Sequence, residues 1–312
     1  MIGVLWMACA VDYGVQGPGN TPDLPPTLPP TVPIVEEPVS IDASTRGTGF
    51  WIGFMENIRL GTNGEPVFDV SAYADAPGTL TVSLPNTGYT DTVTVSPGWN
   101  DVALPASVLY AEGSDVVGRW GVRVESDVEV DLVAHHRRVF FSESSLVLPD
   151  GELGTRYRIQ ALAPPPDDTG RGGFVVVATE DGTTVELTLS DVSTAAFPAG
   201  SPYTVELDAG ETYQVLSQGD LSGSLVTADA PVAVFAGGAD TWAGCPATSH
   251  AWEQLAPVDR WGREHLVVPF AGQGGDLVRI VADGPTTVQL DCDETVELEE
   301  GGVWTGLATA PL

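Results

Sequence analysis

Apolar and polar residues alternate along most of the chain after residue 44. The clearest runs are TLTVSL at residues 79–84, TTVELTL at 183–189 and YTVEL at 203–207. Gly, Pro, Asn and Asp, which favour tight turns, separate these runs. Alternation with a period of two between turn residues predicts half-buried antiparallel strands, and no stretch has the apolar spacing of a helix. The pattern therefore predicts an all-β protein.

The same strand pattern occurs three times, at a spacing of roughly 105 residues. An opening strand, in GTGFWIGF, LGTRYRIQAL and WGREHLVVPF, precedes a strand pair, in VSAYADAPGTLTVSL, FVVVATEDGTTVELTL and VRIVADGPTTVQL. An answering hairpin follows around SPGWN, DAGET and EEGGV. Repetition at this length predicts structural units of one kind. We expect a signal remnant at 1–9, a proline-rich spacer at 10–44 and three β units at 45–145, 146–240 and 241–312.

Each unit offers about six or seven short strands, which is typical of an immunoglobulin-like sandwich of two sheets. We therefore expect tandem antiparallel β-sandwich-like repeats, with a β-propeller of two blades per repeat as the alternative. The third unit lacks the last part of the pattern, which is VRVESDVEVDLVAHH in the first unit and LVTADAPVAVFAGG in the second. Either the chain is truncated, or its N-terminal half closes the last sheet.

Charge narrows the range of partners. The chain holds 43 Asp and Glu against 12 basic residues, all of them Arg, for a formal net charge of -31. Such a charge repels the phosphate backbone of nucleic acids and anionic membrane surfaces, so we expect neither as a partner. Solubility is the first interpretation of this acidity, and Ca²⁺ gathered by acidic loops is the alternative. We expect no other cofactor.

The N-terminus resembles an export signal. MIGVLWMAC is apolar up to Cys9 and has the small residue Ala8 before it, as at the cleavage site of a bacterial lipoprotein. The resemblance implies that Cys9 is lipidated and that this anchor is the only contact with a membrane. Residues 10–44 are rich in proline and predict a stiff polyproline II spacer. We expect a bacterial cell-envelope or surface location, lipid-anchored or secreted.

A family resemblance appears where the second unit meets the third. The run PVAVFAGGADTWAGCPATSHAWEQLAPVDRWGREHLVVPF resembles the core signature of the IgGFc-binding protein N-terminal domain family. The matching positions are residues 231–235, Cys245, His250, Glu253, Gln254, Leu255, Pro257, Trp261 and Gly262. GTGFWIGFMEN at 47–57 resembles the family's opening, and the likeness covers residues 45–305. It implies an extracellular or surface β-rich module, without identifying the ligand.

The chain has three cysteines, and the lipidation hypothesis uses Cys9. Cys245 and Cys292 are then the candidate disulfide pair, which an oxidising compartment would permit. Two buried free thiols are the alternative. Two cysteines without paired spacing do not predict a metal site.

His135, His136, Arg137 and Arg138 form the one basic cluster. Neighbours on a strand face opposite sides, so the two histidines are not expected to share a ligand. A structural role at a strand end or unit junction is predicted, with recognition of a carboxylate or sulfate as the alternative. The sequence has no Gly-x-Ser-x-Gly elbow, His-Glu-x-x-His motif or phosphate loop. We expect no catalytic residues, no metal ligands and no enzymatic activity.

The loop at residues 239–255 is the candidate binding surface. Long loops on a rigid β scaffold often carry recognition, and exposed Trp often anchors interfaces. The candidate ligand-binding residues are Trp242, His250, Trp252, Glu253 and Trp261. Alternatively, these aromatic residues close the junction between the second and third units.

Together these features predict binding rather than catalysis. We expect an exported, lipid-anchored adhesion module whose tandem units recognise a protein or a glycan. A structural stalk or matrix component without a ligand of its own is the alternative. A carbohydrate-active enzyme, which would need two suitably spaced carboxylates in a cleft, is a remote alternative.

Overall fold

The computed structural model describes residues 2–7, 44–57, 64–105, 110–139, 141–164, 170–241, 249–270, 275–291 and 294–309. The strands in chain order are β1 (Ile2–Met7), β2 (Arg46–Gly53), β3 (Val67–Ala74), β4 (Gly78–Leu84), β5 (Tyr89–Val95), β6 (Gly98–Leu104), β7 (Val116–Gly118), β8 (Gly121–Arg138), β9 (Phe141–Val147), β10 (Gly154–Arg158), β11 (Gly172–Ala178), β12 (Thr183–Thr188), β13 (Tyr203–Leu207), β14 (Thr212–Ser217), β15 (Leu225–Thr241), β16 (Ser249–Gln254), β17 (Asp276–Ala282), β18 (Thr286–Asp291), β19 (Glu294–Leu298) and β20 (Val303–Ala308). Single 3-10 turns occur at Asp150–Glu152 and Val258–Arg260. Within the described ranges, no helix has the length and apolar character to cross a membrane. The prediction of an all-β protein is confirmed.

One long strand, β8, organises the first unit. Its N-terminal half pairs with β2 and β4, and its C-terminal half pairs with β3 and β9. β5 lies beside β4, and β6 lies beside β3. All these pairs are antiparallel, and a strand that passes from one sheet into the next forms the corner of a β-sandwich. The pairing is therefore that of the predicted sandwich rather than of propeller blades.

The second unit repeats this arrangement around β15. The first half of β15 pairs with β10 and β12, and its second half pairs with β11 and β16. β13 lies beside β12, β14 lies beside β11, and β7 adds to the free edge of β14. β16 follows residue 240, where we divided the second unit from the third, yet its partner is β15. The repeated sequence thus corresponds to a repeated set of strand pairings.

The third unit contains only part of this arrangement in the described residues. β17 pairs with β20 and β18 pairs with β19, as their counterparts do in the first two units. On the other side of β17 lies β1, with Val4 opposite Ile280. β1 thus takes the place that β8 has beside β3 and that β15 has beside β11. The N-terminal part of the chain contributes to the last sheet, which is one of the two alternatives that the sequence left open.

The strand expected in GREHLVVPF, after Trp261, is wrong, because residues 262–270 are irregular. In the first two units the corresponding strands, β2 and β10, pair with the long corner strand. No described strand pairs with residues 262–270, so their backbone groups have no ladder partner. Leu266 is 78% exposed as a result, and Val268 and Phe270 are half exposed.

The first two units share an apolar junction at β11, in which every residue is buried. Val175 and Val177 pack into the core of the first unit, together with Phe235 of β15. Phe174 and Val176 face the core of the second unit. A strand covered on both faces has a continuous apolar sequence, which explains the run FVVVA. Each fully buried Val adds about 1.5–3 kcal/mol to the hydrophobic stabilisation.

The third unit has its own small apolar core and attaches to the second through arginine side chains. The guanidinium of Arg158 donates to a carboxylate oxygen of Asp283 at 2.9 Å and to the carbonyl oxygen of Gly223 at 3.1 Å. Arg279 donates to the hydroxyl of Ser222 at 2.9 Å and forms an ion pair with Asp220. Both guanidinium groups are nearly buried. Directional polar contacts therefore fix this attachment.

Candidate binding site

The predicted binding loop connects β15 to β16. Its tip at residues 242–248, which contains Trp242 and Cys245, lies outside the described residues. Cys9 and Cys292 also lie outside them, so the lipidation and the disulfide stay predictions. The described part of the site is the base of the hairpin, where β16 packs against β9 of the first unit.

Trp252 lies in an aromatic junction, which we define as the stack of Phe54, Trp252 and Phe235 between the first two units. Its ring centroid is 5.1 Å from that of Phe54 and 5.1 Å from that of Phe235. Its indole N–H donates to the carbonyl oxygen of Gly53 at 3.0 Å, and the residue is 3% exposed. Trp252 therefore fixes β16 against the first unit and presents no free face to a ligand. The junction it closes joins the first and second units, and not the second and third as the alternative interpretation had it.

His250 lies beside this junction and is also buried. Its ring is edge-on to that of His136, with centroids 4.6 Å apart. Neither ring nitrogen of His250 has a hydrogen-bond partner among the described residues. Burial lowers the pKa of His250 to about 3. Burial, and then repulsion by His250 and Arg138, hold the pKa of His136 well below its ordinary value, so both rings are neutral near pH 7.

Glu253 reaches solvent and forms an acid pair with Glu143 of β9. One carboxylate oxygen of Glu253 accepts a hydrogen bond from the hydroxyl of Ser145 at 3.1 Å. Burial raises the pKa of Glu143 to about 7, and repulsion by Glu253 is the second cause. Although Glu253 is exposed at its outer side, desolvation by neighbouring groups raises its pKa to about 7, and the hydrogen bond from Ser145 opposes this shift. The acid pair is therefore only partly ionised near neutral pH.

Gln254 fastens β16 to β9 beside the acid pair. Its side-chain oxygen accepts a hydrogen bond from the backbone N–H of Leu148 at 2.7 Å. Its own backbone N–H donates to the hydroxyl of Ser145 at 2.9 Å. These bonds, together with the aromatic junction, give the hairpin a rigid base.

Trp261 lies apart from this cluster, directly after the 3-10 turn Val258–Arg260. It is half-buried, and its indole N–H donates to the carbonyl oxygen of Ala256 at 3.0 Å. The structure thus brings His250, Trp252 and Glu253 together on β16 and leaves Trp261 on a separate local support.

Sequence reasoning missed Glu143 and Ser145, which complete the site from β9. The burial pattern of β9 places both on the same side as the buried Phe141 and Val147. An acid among the inward positions of a strand was the available signal. The partner strand could not be inferred, because it lies more than one unit away along the chain.

The basic cluster at the end of β8 is divided between the two faces of its strand, as alternation predicts. His136 faces the core, whereas His135 lies on the outer face between the hydroxyls of Ser71 and Ser144. Arg137 pairs with Asp69. Within the described residues, no group of three or more His, Cys, Asp or Glu side chains could hold a metal ion. These contacts give the cluster a structural role.

The fold is that of a tandem β-sandwich module, in which each of the first two units is built around one corner strand. The β15–β16 hairpin and the acid pair lie at the junction of these two units. The chain matches the family model described as IgGFc binding protein over residues 143–311, and it belongs to that family. It is also 30% identical over 260 residues to a human protein named IgGFc-binding protein. That match covers 80% of this chain and 5% of the human protein. No solved structure matches the chain significantly.

The family resemblance predicted from the sequence is confirmed. The name of the family denotes binding, which is compatible with the expected lack of enzymatic activity.

Proposed function

We propose that this chain is an exported recognition module that binds a protein, and that its ligand is the Fc region of immunoglobulin G. The observation that supports the ligand is the 30% identity over 260 residues to a human protein named for Fc binding. That protein is far longer, so the proposal concerns only the part of it that this chain matches.

We infer that the contact is made by the β15–β16 hairpin and the acid pair beside it. His250 and Trp252 are buried and serve as its support. We infer that Trp242, which lies outside the described residues, supplies an aromatic anchor in the loop between β15 and β16. Glu253 supplies a carboxylate that solvent reaches. An aromatic residue in a loop with a rigid base is a common centre of a protein-binding hot spot.

Binding of the purified chain to Fc fragments on a biosensor surface tests this proposal, with Fab fragments as the control ligand. We expect saturable binding to Fc and none to Fab. Glu253→Lys should weaken Fc binding by about tenfold or more, the scale of a reversed charge in a contact. Glu206→Lys, which reverses an exposed charge on β13, is the matched control and should leave binding unchanged.

Two results would contradict the proposal in different ways. Saturable binding to mucin or neutral glycans, without binding to Fc, would move the ligand to the glycan class. No saturable binding to any of these would favour the structural stalk.

We further propose that the protein is lipid-anchored through Cys9, with residues 10–44 as an extended spacer. The apolar run before Cys9 supports this assignment. Cleavage before Cys9 would remove β1 and open the edge of β17 that β1 covers. Cys9→Ser should release the protein from membranes, and an unchanged membrane fraction would contradict the anchor. The mass of the mature N-terminus shows separately whether β1 is retained.

A further inference from the structure

The outer face of the first unit carries a second group of side chains suited to recognition. On this face Trp99 of β6 lies opposite Tyr73 of β3, and Asp101 lies opposite Ser71. His135 of β8 and Ser144 of β9 lie opposite each other one strand further on. Trp99 and Asp101 precede the residues that match the family model, and they are far along the chain from the β15–β16 hairpin.

Trp99 is 62% exposed, which is unusual for so large an apolar side chain in a well-packed sheet. Its ring contacts that of Tyr73 edge-on, with centroids 5.4 Å apart and planes at 66°. The contact restricts the indole and leaves much of its surface open to solvent. An indole face carries a negative electrostatic potential and attracts cations. Trp99 is therefore a preorganised platform for a cationic group.

The acidic side chains of this face differ in how their charges are balanced. Asp75 and Asp131 both pair with Arg46, and Asp69 pairs with Arg137. Asp101 is exposed, and no arginine pairs with it in the described part of the chain. Asp101 and Trp99 are two residues apart on one face of β6, which places them about 7 Å apart. A cation stacked on the indole could reach this unbalanced carboxylate.

A chain of hydrogen bonds holds Asp101 in position. The hydroxyl of Ser71 donates to a carboxylate oxygen of Asp101 at 2.6 Å and lies 3.0 Å from Nε2 of His135. Nδ1 of His135 lies 2.7 Å from the hydroxyl of Ser144. Because the Ser71 proton is used on Asp101, the Ser71 oxygen accepts a hydrogen bond from Nε2–H of His135. A carboxylate held in this way loses little freedom when it binds a partner.

We propose that Trp99 and Asp101 form a binding site for an arginine or lysine side chain of a basic protein segment. The guanidinium or ammonium group would stack on the indole of Trp99 and pair with the carboxylate of Asp101. Charge complementarity selects this class of partner, because the formal net charge of -31 attracts basic segments and repels anionic ones. A neutral glycan could also stack on Trp99, but it would leave the charge of Asp101 unbalanced.

Titration of the full chain with an acetylated tetra-arginine amide tests the site, with the tetra-citrulline analogue as a neutral control. The indole N–H signals of the eight Trp residues can be followed by nitrogen–proton NMR, and Trp99→Phe identifies the signal of Trp99. We expect the Trp99 signal to shift saturably with the arginine peptide only. Trp99→Ala should weaken this binding by about five- to thirtyfold, the range of a cation–π contact.

Charge-matched variants separate the site from general attraction to an acidic protein. Asp101→Asn should weaken binding by about three- to tenfold, and more strongly at low than at high salt. Asp91→Asn removes the same charge from an exposed position on β5 and should have little effect.

Equal weakening by both variants, or no shift of the Trp99 signal, would overturn the proposal. A saturable Trp99 shift with a neutral trisaccharide, and none with the arginine peptide, would assign the face to a glycan. We expect Fc binding to be unaffected by Asp101→Asn and by Asp91→Asn. The Fc proposal and the proposal of a basic-segment site can therefore fail separately.

Discussion

The indole N–H of Trp252 donates a hydrogen bond to the carbonyl oxygen of Gly53 across 3.0 Å. The bond joins β16 to β2 and so connects strands of different units. A Cβ atom at Gly53 would lie 2.6 Å from a methyl group of Val177 in β11. Only glycine permits this close approach, which brings the Gly53 carbonyl within reach of the indole. The aromatic junction thus depends on a backbone position as well as on ring packing.

Two substitutions of Trp252 separate its hydrogen bond from its packing. Trp252→Phe keeps a ring between Phe54 and Phe235 but leaves the Gly53 carbonyl without its donor, and we expect a loss of about 1–2 kcal/mol. Trp252→Ala also leaves a cavity, so the expected loss is about 3–5 kcal/mol. Urea unfolding measures both values. Trp99→Ala, at an exposed position, is the control and should cost about 1 kcal/mol or less, the scale of its cross-strand contact with Tyr73. A Trp252→Ala variant as stable as the control would contradict the packing role.

Acid should destabilise the junction through His250. The pKa of His250 is about 3 in the folded protein, whereas an unfolded histidine has a pKa of about 6.5. The unfolded chain binds a proton that the folded chain does not, so stability is lost as the pH falls from about 6.5 towards 3. His250→Leu removes this titration, and we expect a shallower loss of unfolding free energy across that range. At pH 7 the variant should be at least as stable as the parent, because two unpartnered nitrogens are removed. A marked loss at pH 7 would mean that the imidazole makes a stabilising contact.

The effect of pH on stability through the acid pair is opposite to its effect through His250. The pKa of Glu143 is raised to about 7, compared with about 4.3 in an unfolded chain. Between these values the folded protein binds more protons, so this contribution to stability declines as the pH rises from about 4.5 to 7 and is lowest above 7. Glu143→Gln should therefore stabilise the protein near pH 8 by about 1 kcal/mol, discounted for partial solvation. The gain should vanish near pH 4.5. Thermal unfolding at the two pH values measures it, and an equal gain from Glu206→Gln would show a general charge effect instead.

Strand alternation predicted most of the fold because alternation records which side of a strand is buried. In β12, for example, Val185 and Leu187 alternate with exposed or partly exposed residues, as the sequence implied. The prediction failed at residues 262–270, where the apolar run LVVPF suggested a strand but no described strand lies alongside. Ile2–Met7 presented a different difficulty, because a continuous apolar run fits both an export signal and a strand. Such features depend on neighbours that local sequence does not specify.

The sequence predicted only some of the residues of the candidate site. His250 and Trp252 stood out by residue type, but their burial depends on Phe54 and His136, which lie more than one unit away along the chain. The exposed Trp99 gave no sequence signal of its own, because its strand alternates like any other. Long-range packing decides which aromatic residues are supports and which remain open to a ligand.

Replacement of Arg279 should weaken the attachment of the third unit to the second. This side chain donates to the hydroxyl of Ser222 and to the carbonyl oxygen of Ala161, and it forms an ion pair with Asp220. Arg279→Ala leaves nearly buried acceptors without a donor, and we expect it to weaken the attachment by about 2–3 kcal/mol. The first two units share a different, apolar junction, so their own stability should change little.

Limited proteolysis and calorimetry can distinguish local detachment from general destabilisation. Because the third unit has a separate core, Arg279→Ala should speed its cleavage while the main unfolding transition stays in place. Arg119→Ala is the matched control: Arg119 is 70% exposed and lies 3.7 Å from Glu211, so its ion pair should contribute about 0.5 kcal/mol or less. If Arg279→Ala clearly lowered the temperature of the main unfolding transition, the third unit would unfold together with the other two. The arginine contacts would then stabilise one cooperative structure rather than attach a separable unit.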